Sequence, residues 1–412
     1  MKLYKYIVSI LIVAAMQLTD YKILDIKFGD VLSLYCVFVF IILITHTKLP
    51  KFYFQLILVF FLLFLFSLIS ALYIKFYLPP NINFLKKPVI LSISRYLQYT
   101  GCVCFSFYVF KFFSSSIKNS DIKIFTYIDK LMIVISFFFA LIFLLSWVGI
   151  ESPFIYSGHR LRGGYVEGGP FGLFIGYYLI LRYLVFEKFD RYTILFLILI
   201  IFSESKAAII FMLFFYVIYL LIEGKLKIYN IFILLMMGSI FYLFINYYYN
   251  FNQRILSYWT EYNNIKYYIS LRGDDDPSLV MGRIAAMHIA PNIIKDNPIL
   301  GVGMGNYSLV RNNLNYLQGL PRVVGWDLSG LGGVFNTVIE SGFVGLLILL
   351  IPFIYLWRKY NSKIIRHGIV LFFLAQIFGV QLYFQYIWFG LGLCFYLGIK
   401  NQSELKNEKN SH

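Results

Sequence analysis

The sequence predicts an all-α, polytopic membrane protein of about twelve transmembrane helices, with one large extracytoplasmic loop containing short helices. Three observations carry this reading. Of 412 residues, 60% are apolar and only 14% are charged, with a mean hydropathy of +0.75. A soluble domain of this length has too few buried positions to hide so much apolar surface. The apolar residues fall in repeated runs, each roughly long enough to cross a bilayer as a helix. Sustained apolar/polar alternation with period two is absent, which argues against a transmembrane β-barrel.

Taken in order, the runs place helices near Tyr4–Thr19, Val31–Thr45, Phe52–Ile74, Tyr96–Phe113, Leu131–Val148 and Pro170–Phe186. They continue near Thr193–Phe202, Ala207–Ile222, Tyr229–Tyr247, Leu331–Trp357, Gly368–Leu382 and Tyr386–Ile399. Three regions follow: residues 1–246 with the first nine helices, a loop over 247–330, and residues 331–412 with the last three helices and a tail. The first segment resembles a signal peptide in charge and length. It lacks a convincing small-residue cleavage site, so it is read as a retained helix. In the loop, Ser278 to Asn297 reads as a helix with Pro291 in its second half, where a kink or break is expected.

A net charge of +16 invites a nucleic-acid partner, but no soluble basic domain exists to carry one. The cations stand between apolar runs, where they set topology. With the N-terminus inside, the inner loops hold more than half of the 36 Lys and Arg residues. Both termini are therefore expected in the cytoplasm and the long loop outside. Between Tyr247 and Ser329 that loop carries seven basic and six acidic residues, a net charge of +1. An anion site there has to be built locally. Cys36, Cys102, Cys104 and Cys394 all fall inside apolar segments and read as small packing residues.

Three segments gather charge, Gly and Asn beside expected outer helix ends. Gly158 to Pro170 joins His159, Arg160, Arg162 and Glu167 to a glycine-rich turn that opens a helix. Free N–H groups and guanidinium forks there suit an anion, or else the arginines snorkel at the interface. Met281 to Tyr307 holds Arg283 and a run of glycines. No strand precedes them, so a tight turn is favoured over a dinucleotide fingerprint. Val334 to Gly345 carries Glu340, costly in lipid and expected to face protein or water. Asp274, Asp275 and Asp276 read as a solvated loop, and no outer group of His and carboxylates has metal-ligand spacing. Tyr258, Trp259, Tyr262, Tyr267 and Tyr268 belong to an aromatic run that reads as an interfacial belt before a sugar-stacking surface.

Together these segments resemble the bacterial O-antigen polymerase and O-antigen ligase family, the Wzy-type membrane glycosyltransferases. Arg160-Leu161-Arg162-Gly163 with Glu167 resembles the family's Arg-x-x-Gly segment with a downstream Glu. Ser203-Glu204-Ser205-Lys206-Ala207 resembles its Ser-Arg-Gly/Ala step, with Lys206 where Arg is usual. Gly282-Arg283 with Asn297-Pro298-Ile299-Leu300-Gly301-Val302-Gly303 resembles its Gly-Arg…Asn-Pro-Leu-Leu-Gly-x-Gly signature. Glu340-Ser341-Gly342-Phe343-Val344-Gly345 resembles its Glu-x-Gly-x-x-Gly. Ligases of the family usually carry a His-Asn pair shortly before that last motif. The run Trp326 to Glu340 holds no histidine, which favours a polymerase.

The resemblance implies transfer of a glycan from undecaprenyl pyrophosphate to the sugar of another lipid-linked repeat, at the bacterial inner membrane. Its partners are then the lipid-linked oligosaccharide, membrane lipid and a chain-length regulator protein, with no cofactor. Such chemistry must neutralise a departing pyrophosphate and deprotonate an acceptor hydroxyl. Arg160, Arg162, Arg283, Arg311 and Lys206 are the candidates for the first task, and Glu167, Glu340 and His159 for the second. Two rivals stand beside this reading. A lipid-linked oligosaccharide flippase would place its cations mid-membrane along a cavity. A glycosyltransferase using polyprenyl-phosphate monosaccharides would place an acid in the first outer loop, for which Asp20, Asp25 and Asp30 are available.

Overall fold

The computed structural model describes residues 2–23, 26–78, 84–115, 121–156, 160–225, 236, 239, 251–273, 282–323 and 330–410. Helices cover the expected segments from Tyr4 to Ile222 and from Leu331 to Ile399. Apart from Met236 and Ser239, the expected helix Tyr229–Tyr247 lies outside the described residues. Among the described residues, strand is confined to two antiparallel two-residue pairs, Lys22–Ile23 with Ile26–Lys27 and Ile155–Tyr156 with Arg160–Leu161.

Six of the described helices are long and apolar enough to cross a membrane: Phe28–His46, Lys51–Tyr73, Ile124–Ser146, Gly168–Phe186, Lys206–Glu223 and Gly333–Lys359. Pro88–Ser114 has the length, but Ser92, Ser94, Arg95, Gln98 and Thr100 dilute its apolar character. The chain is a multi-pass membrane protein. Apolar content and burial separate here, as lipid allows. The apolar stretch of Phe28–His46 is only 22% buried, whereas that of Gly168–Phe186 is 72% buried. The first presents its side chains to a nonaqueous solvent and the second is enclosed by protein.

The chain divides into two compact units. One comprises residues 1–60, 96–218 and 349–412, and the other residues 61–95 and 219–348. In the first, helices meet where small residues let backbones approach, the packing mode expected when lipid supplies no hydrophobic drive. A Cβ added to Gly101 would lie 2.5 Å from Ser33 Cβ, and one on Gly368 2.5 Å from Cys394 Cβ. Trp388 is fully buried against Phe372, with ring centroids 4.9 Å apart, and its Nε1 donates to the Leu382 carbonyl. All four cysteines are free and buried.

A buried ion cluster lies in the same unit. Arg182, counted among the loop cations on sequence, sits inside Gly168–Phe186 and is only 3% exposed. Its Nε donates to Asp129 Oδ1 at 2.9 Å, and its Nη1 and Nη2 to the two carboxylate oxygens of Asp190. Tyr178 adds a hydroxyl hydrogen bond to Asp129 at 3.0 Å. Asp190 also caps Arg191–Phe202 by accepting from the amides of Tyr192 and Thr193, completing a capping box. The guanidinium meets two carboxylates there, which offsets the desolvation of the charges.

The second unit contains the loop. Its helices are Phe251–Asn263, Ile265–Arg272, Arg283–Asp296, Tyr307–Arg311 and Leu314–Leu317. They share an apolar centre that includes Ile265, Ile269, Ile284, Ile289, Ile293 and Val310, so the loop is a packed body. Pro291 lies inside Arg283–Asp296, as the sequence indicates. Gly333–Lys359 differs from the continuous helix expected. Gly342 has φ +67° and ψ −175°, so two helical stretches join there across a break.

Candidate active site

Within the first unit, two of the four motifs are fastened to one another. Arg160 opens the second strand of the short hairpin, and its Nη2 donates to the Ser203 carbonyl oxygen at 3.3 Å. Its Nε stands 3.6 Å from Glu204 Oε2. Glu204 turns the corner between Arg191–Phe202 and Lys206–Glu223 with φ +50°, a left-handed conformation uncommon outside glycine. Ser205 Oγ donates to the Gly169 carbonyl at 2.9 Å. Gly168 makes this approach possible, since a Cβ there would lie 2.6 Å from the Ser203 carbonyl oxygen.

The remaining first-unit candidates surround that junction. Arg162 folds back on its own hairpin, donating from Nε to Pro153 O at 2.9 Å and from Nη1 to Val166 O at 3.3 Å. Its guanidinium centre lies 5.8 Å from the Tyr156 ring centroid, within cation–π range. Glu167 is exposed at the N-cap position of Gly168–Phe186, and its side chain makes no capping bond. The carboxylate is therefore available to a ligand at a helix terminus. Lys206 is half-buried in the first turn of Lys206–Glu223. His159 lies outside the described residues.

Within the second unit, the other two motifs interlock through their backbones. Val302 N–H donates to Ile339 O at 3.1 Å, Gly303 N–H to Glu340 O at 2.7 Å, and Phe343 N–H to Pro298 O at 2.9 Å. Gly301, Gly303 and Gly305 all have positive φ, which leaves their peptide groups without a helical ladder. Serines supply the missing partners. Ser67 Oγ accepts from Met304 N–H at 2.8 Å, and Ser70 Oγ donates to Gly301 O at 3.1 Å. Ser92 Oγ donates to Met304 O at 3.1 Å and accepts from Asn306 Nδ2 at 3.3 Å. Irregular backbone among membrane helices is tolerated where protein groups satisfy it in this way.

Glu340 is 5% exposed beside that turn. The Gly305 backbone and the Arg95 guanidinium both act electrostatically on its carboxylate. Sequence reading passed over Arg95. Its signal is an isolated cation in the otherwise uncharged first turns of Pro88–Ser114, the placement that marks functional cations in membrane helices.

Arg311 ends Tyr307–Arg311 and is 1% exposed beside Tyr307. Burial pushes the Tyr307 phenol up to about 12, so it stays protonated next to the guanidinium. Arg283 is exposed at the first position of Arg283–Asp296, with no ion pair among the described residues. Gly330 leaves room for its stem, since a Cβ there would lie 3.2 Å from Arg283 Cγ. Of the acids in the first outer loop, Asp20 is ion-paired to Lys27 at 2.9 Å. Asp25, Asp274, Asp275 and Asp276 lie outside the described residues.

The first unit thus offers an exposed carboxylate at a helix start and guanidinium groups held by backbone carbonyls; the second, by itself, offers a buried carboxylate and a guanidinium projecting from a helix start. Residues 192–340 match the O-antigen ligase family model. Over that segment the chain is similar to that family. No curated protein matches the chain. The O-antigen ligase family match takes in the Ser203–Lys206 corner, Arg283, the 301–305 turn and Glu340, and it stops short of Arg160, Arg162 and Glu167. Members of the O-antigen ligase family are membrane glycosyltransferase-like enzymes, ligases and polymerases.

Proposed function

We propose that this protein polymerises repeat units of a surface polysaccharide, moving glycan from undecaprenyl pyrophosphate to the sugar of another lipid-linked repeat. The observation that carries the reading is the family match over residues 192–340, which ends on a buried glutamate. The polymerase reading is preferred to ligase because no histidine stands between Trp326 and Glu340. The membrane is the bacterial inner membrane, with both termini cytoplasmic and the 247–330 loop outside, following the distribution of Lys and Arg.

In the proposed reaction, the acceptor hydroxyl oxygen forms a bond to the donor's anomeric carbon. The bond from that carbon to the pyrophosphate oxygen breaks, and the pyrophosphate leaves with the electron pair. The hydroxyl proton passes to a carboxylate. Glu167 is the first candidate because it is exposed and uncommitted; Glu340 and His159 follow. Arg160, Arg162, Arg283, Arg311 and Lys206 are proposed to neutralise the charge growing on the pyrophosphate. A charged hydrogen bond contributes about 1.5–3 kcal/mol. Two or three of them would supply a large fraction of a barrier reduction of at least ~8 kcal/mol.

Deleting the gene in its own host and resolving the surface polysaccharide on a gel tests the proposal. The expected result is loss of the ladder with a single-repeat band remaining. Loss of capped core altogether would instead indicate a ligase or flippase, and an unchanged ladder would remove the polysaccharide role.

A further inference from the structure

The second unit contains a pocket of about 400 Å³, lined by Asn263, Asn264, Lys266, Tyr267, His288 and Gln318 among others. Its volume falls within the ~300–1,000 Å³ usual for small-molecule sites. It opens where Phe251–Asn263 ends and Ile265–Arg272 begins, beside His288 of Arg283–Asp296 and the turn that follows Leu314–Leu317.

Two features distinguish this concavity from an ordinary wet crevice. First, its carboxamides and its lysine are uncommitted among the described residues. Asn264 occupies the N-cap position of Ile265–Arg272, yet its carboxamide makes no capping bond. Among the described residues, the side chains of Asn263, Lys266 and Gln318 likewise make no hydrogen bond or ion pair. Gln318 adopts φ +50° to close the preceding helix, and the Lys266 Nζ lies over Gly319, where a Cβ would approach within 3.1 Å.

Second, two aromatic rings, Tyr267 and His288, are part of the lining, and Tyr262 and Trp259 back His288. Tyr262 and His288 stack with centroids 4.3 Å apart at 22°, and Trp259 stacks on Tyr262 at 6.0 Å and 24°. His288 Nε2 is held 2.6 Å from the Tyr262 carbonyl oxygen. A carbonyl can only accept, so Nε2 carries the proton and Nδ1 is left as an acceptor in the neutral ring. Tyr267 is 60% and Trp259 63% exposed, a large apolar area for rings on a packed loop.

We infer that this pocket is a glycan subsite that holds a sugar ring of the repeat unit. The inference rests on the polymerase reading and gives the loop its role within it. A pyranose presents an apolar C–H face and a girdle of adjacent hydroxyls. The Tyr267 and His288 rings of the lining match the first. Carboxamides match the second, because each offers a donor and an acceptor side by side. The lining includes one ammonium and no carboxylate, so the pocket takes neutral or acidic sugars.

The test uses the purified full-length chain and lipid-free oligosaccharides released by mild acid from the host's own surface polysaccharide. Binding is read by saturation-transfer NMR and by quenching of intrinsic fluorescence, neither of which needs turnover. Binding to the wild type is expected, weakened at least tenfold by N264A combined with Q318A, and again by Y267A. Thermal midpoints should stay unchanged, since Asn264, Gln318 and Tyr267 are all exposed. Absence of binding to the wild type, or binding indifferent to these substitutions, overturns the subsite; the second result would return the aromatic run to an interfacial belt. An intact ladder after gene deletion overturns the polymerase reading separately, because pocket binding is measured without transfer.

Discussion

Arg160 donates through Nη2 to the Ser203 carbonyl at 3.3 Å while its Nε faces Glu204 at 3.6 Å. One guanidinium therefore ties the glycine-rich hairpin to the corner where two helices meet. The contact joins motifs more than forty positions apart, |i−j| = 43. It explains why a carboxylate follows Ser203 in a step that otherwise carries basic and small residues.

The Arg160–Glu204 pair is partly solvated, with side chains 31% and 32% exposed. Pairs of that kind contribute ~0.2–1 kcal/mol. Glu204→Gln should therefore shift the thermal midpoint by no more than about 4 °C and leave polymer length near wild type. Arg160→Ala should lower polymer formation by about 10²–10³, the usual effect of removing a preorganised donor. Gel ladders and melting curves on the two variants check this. Equal loss from both would show that Arg160 acts only as a strut.

The glycines at the second motif junction are fixed by sterics. A Cβ on Gly301 would meet the Glu340 carbonyl carbon, and one on Gly342 the Ile299 carbonyl oxygen, while both glycines have positive φ. Backbone cannot yield as a side-chain tip does. Gly301→Ala and Gly342→Ala should each lose more than the ~1–3 kcal/mol of left-handed strain alone. Gly224 has φ +66° with nothing within 4 Å, so Gly224→Ala isolates the strain. Fluorescence-detected size exclusion after heating ranks the three; a ranking with Gly224→Ala worst would defeat the steric account.

Helix positions were legible because lipid enforces a simple rule: about twenty apolar residues with their backbone bonds closed internally. The motifs were legible as well, through glycines beside charges. The break at Gly342 was not. It sits within a continuous apolar run, and its φ of +67° follows from contact with Ile299, far away in sequence. Arg182 was misread for a related reason. Its partners Asp129 and Asp190 lie far apart from one another along the chain, so a count of basic loop residues records a solvated cation where the fold has a buried guanidinium held by two carboxylates. Arg95 was missed because its relation to Glu340 spans 245 positions and no local pattern signals it.

That cluster predicts an acid limit. Hydrogen bonding to Arg182 holds the Asp190 carboxyl below the ordinary carboxylate range. A depressed carboxyl stabilises fully above its unfolded value, about 3.9, and the contribution is lost as pH falls through the folded value. Wild-type stability in detergent should be flat from pH 7 to 5 on this account and decline below about 4. Asp190→Asn should be less stable at pH 7 and lose part of that decline. Arg182→Ala, which leaves Asp129 buried without its cation, should cost about 3–5 kcal/mol. Melting curves across pH decide; an Asp190→Asn curve parallel to wild type would place the acid sensitivity elsewhere.

Transfer is expected to proceed without a divalent metal, since the candidate charge-neutralising groups are guanidinium and ammonium. Purified protein given lipid-linked repeats should polymerise them in excess EDTA at an unchanged rate. Activity restored only by Mg²⁺ or Mn²⁺ would promote Asp274, Asp275 and Asp276 to ligands.

Arg283 allows the sharpest separation of charge from geometry. It is exposed at the first position of Arg283–Asp296, is flanked by Gly282, and pairs with no carboxylate among the described residues. Among the described residues its donors meet no acidic partner, so they can serve a substrate. Guanidinium can bind two phosphate oxygens in parallel, whereas ammonium offers a point charge. Arg283→Ala should therefore erase the ladder, a loss of about 10²–10³ in rate, and Arg283→Lys should restore little of it. Membrane level should hardly change, because Arg and Ala have similar helix propensities and the side chain lies outside the core. Rate measurements at matched protein level, with both variants side by side, supply the readout. A wild-type ladder from Arg283→Lys would mean that positive charge alone suffices, and the bidentate contact with pyrophosphate would be abandoned.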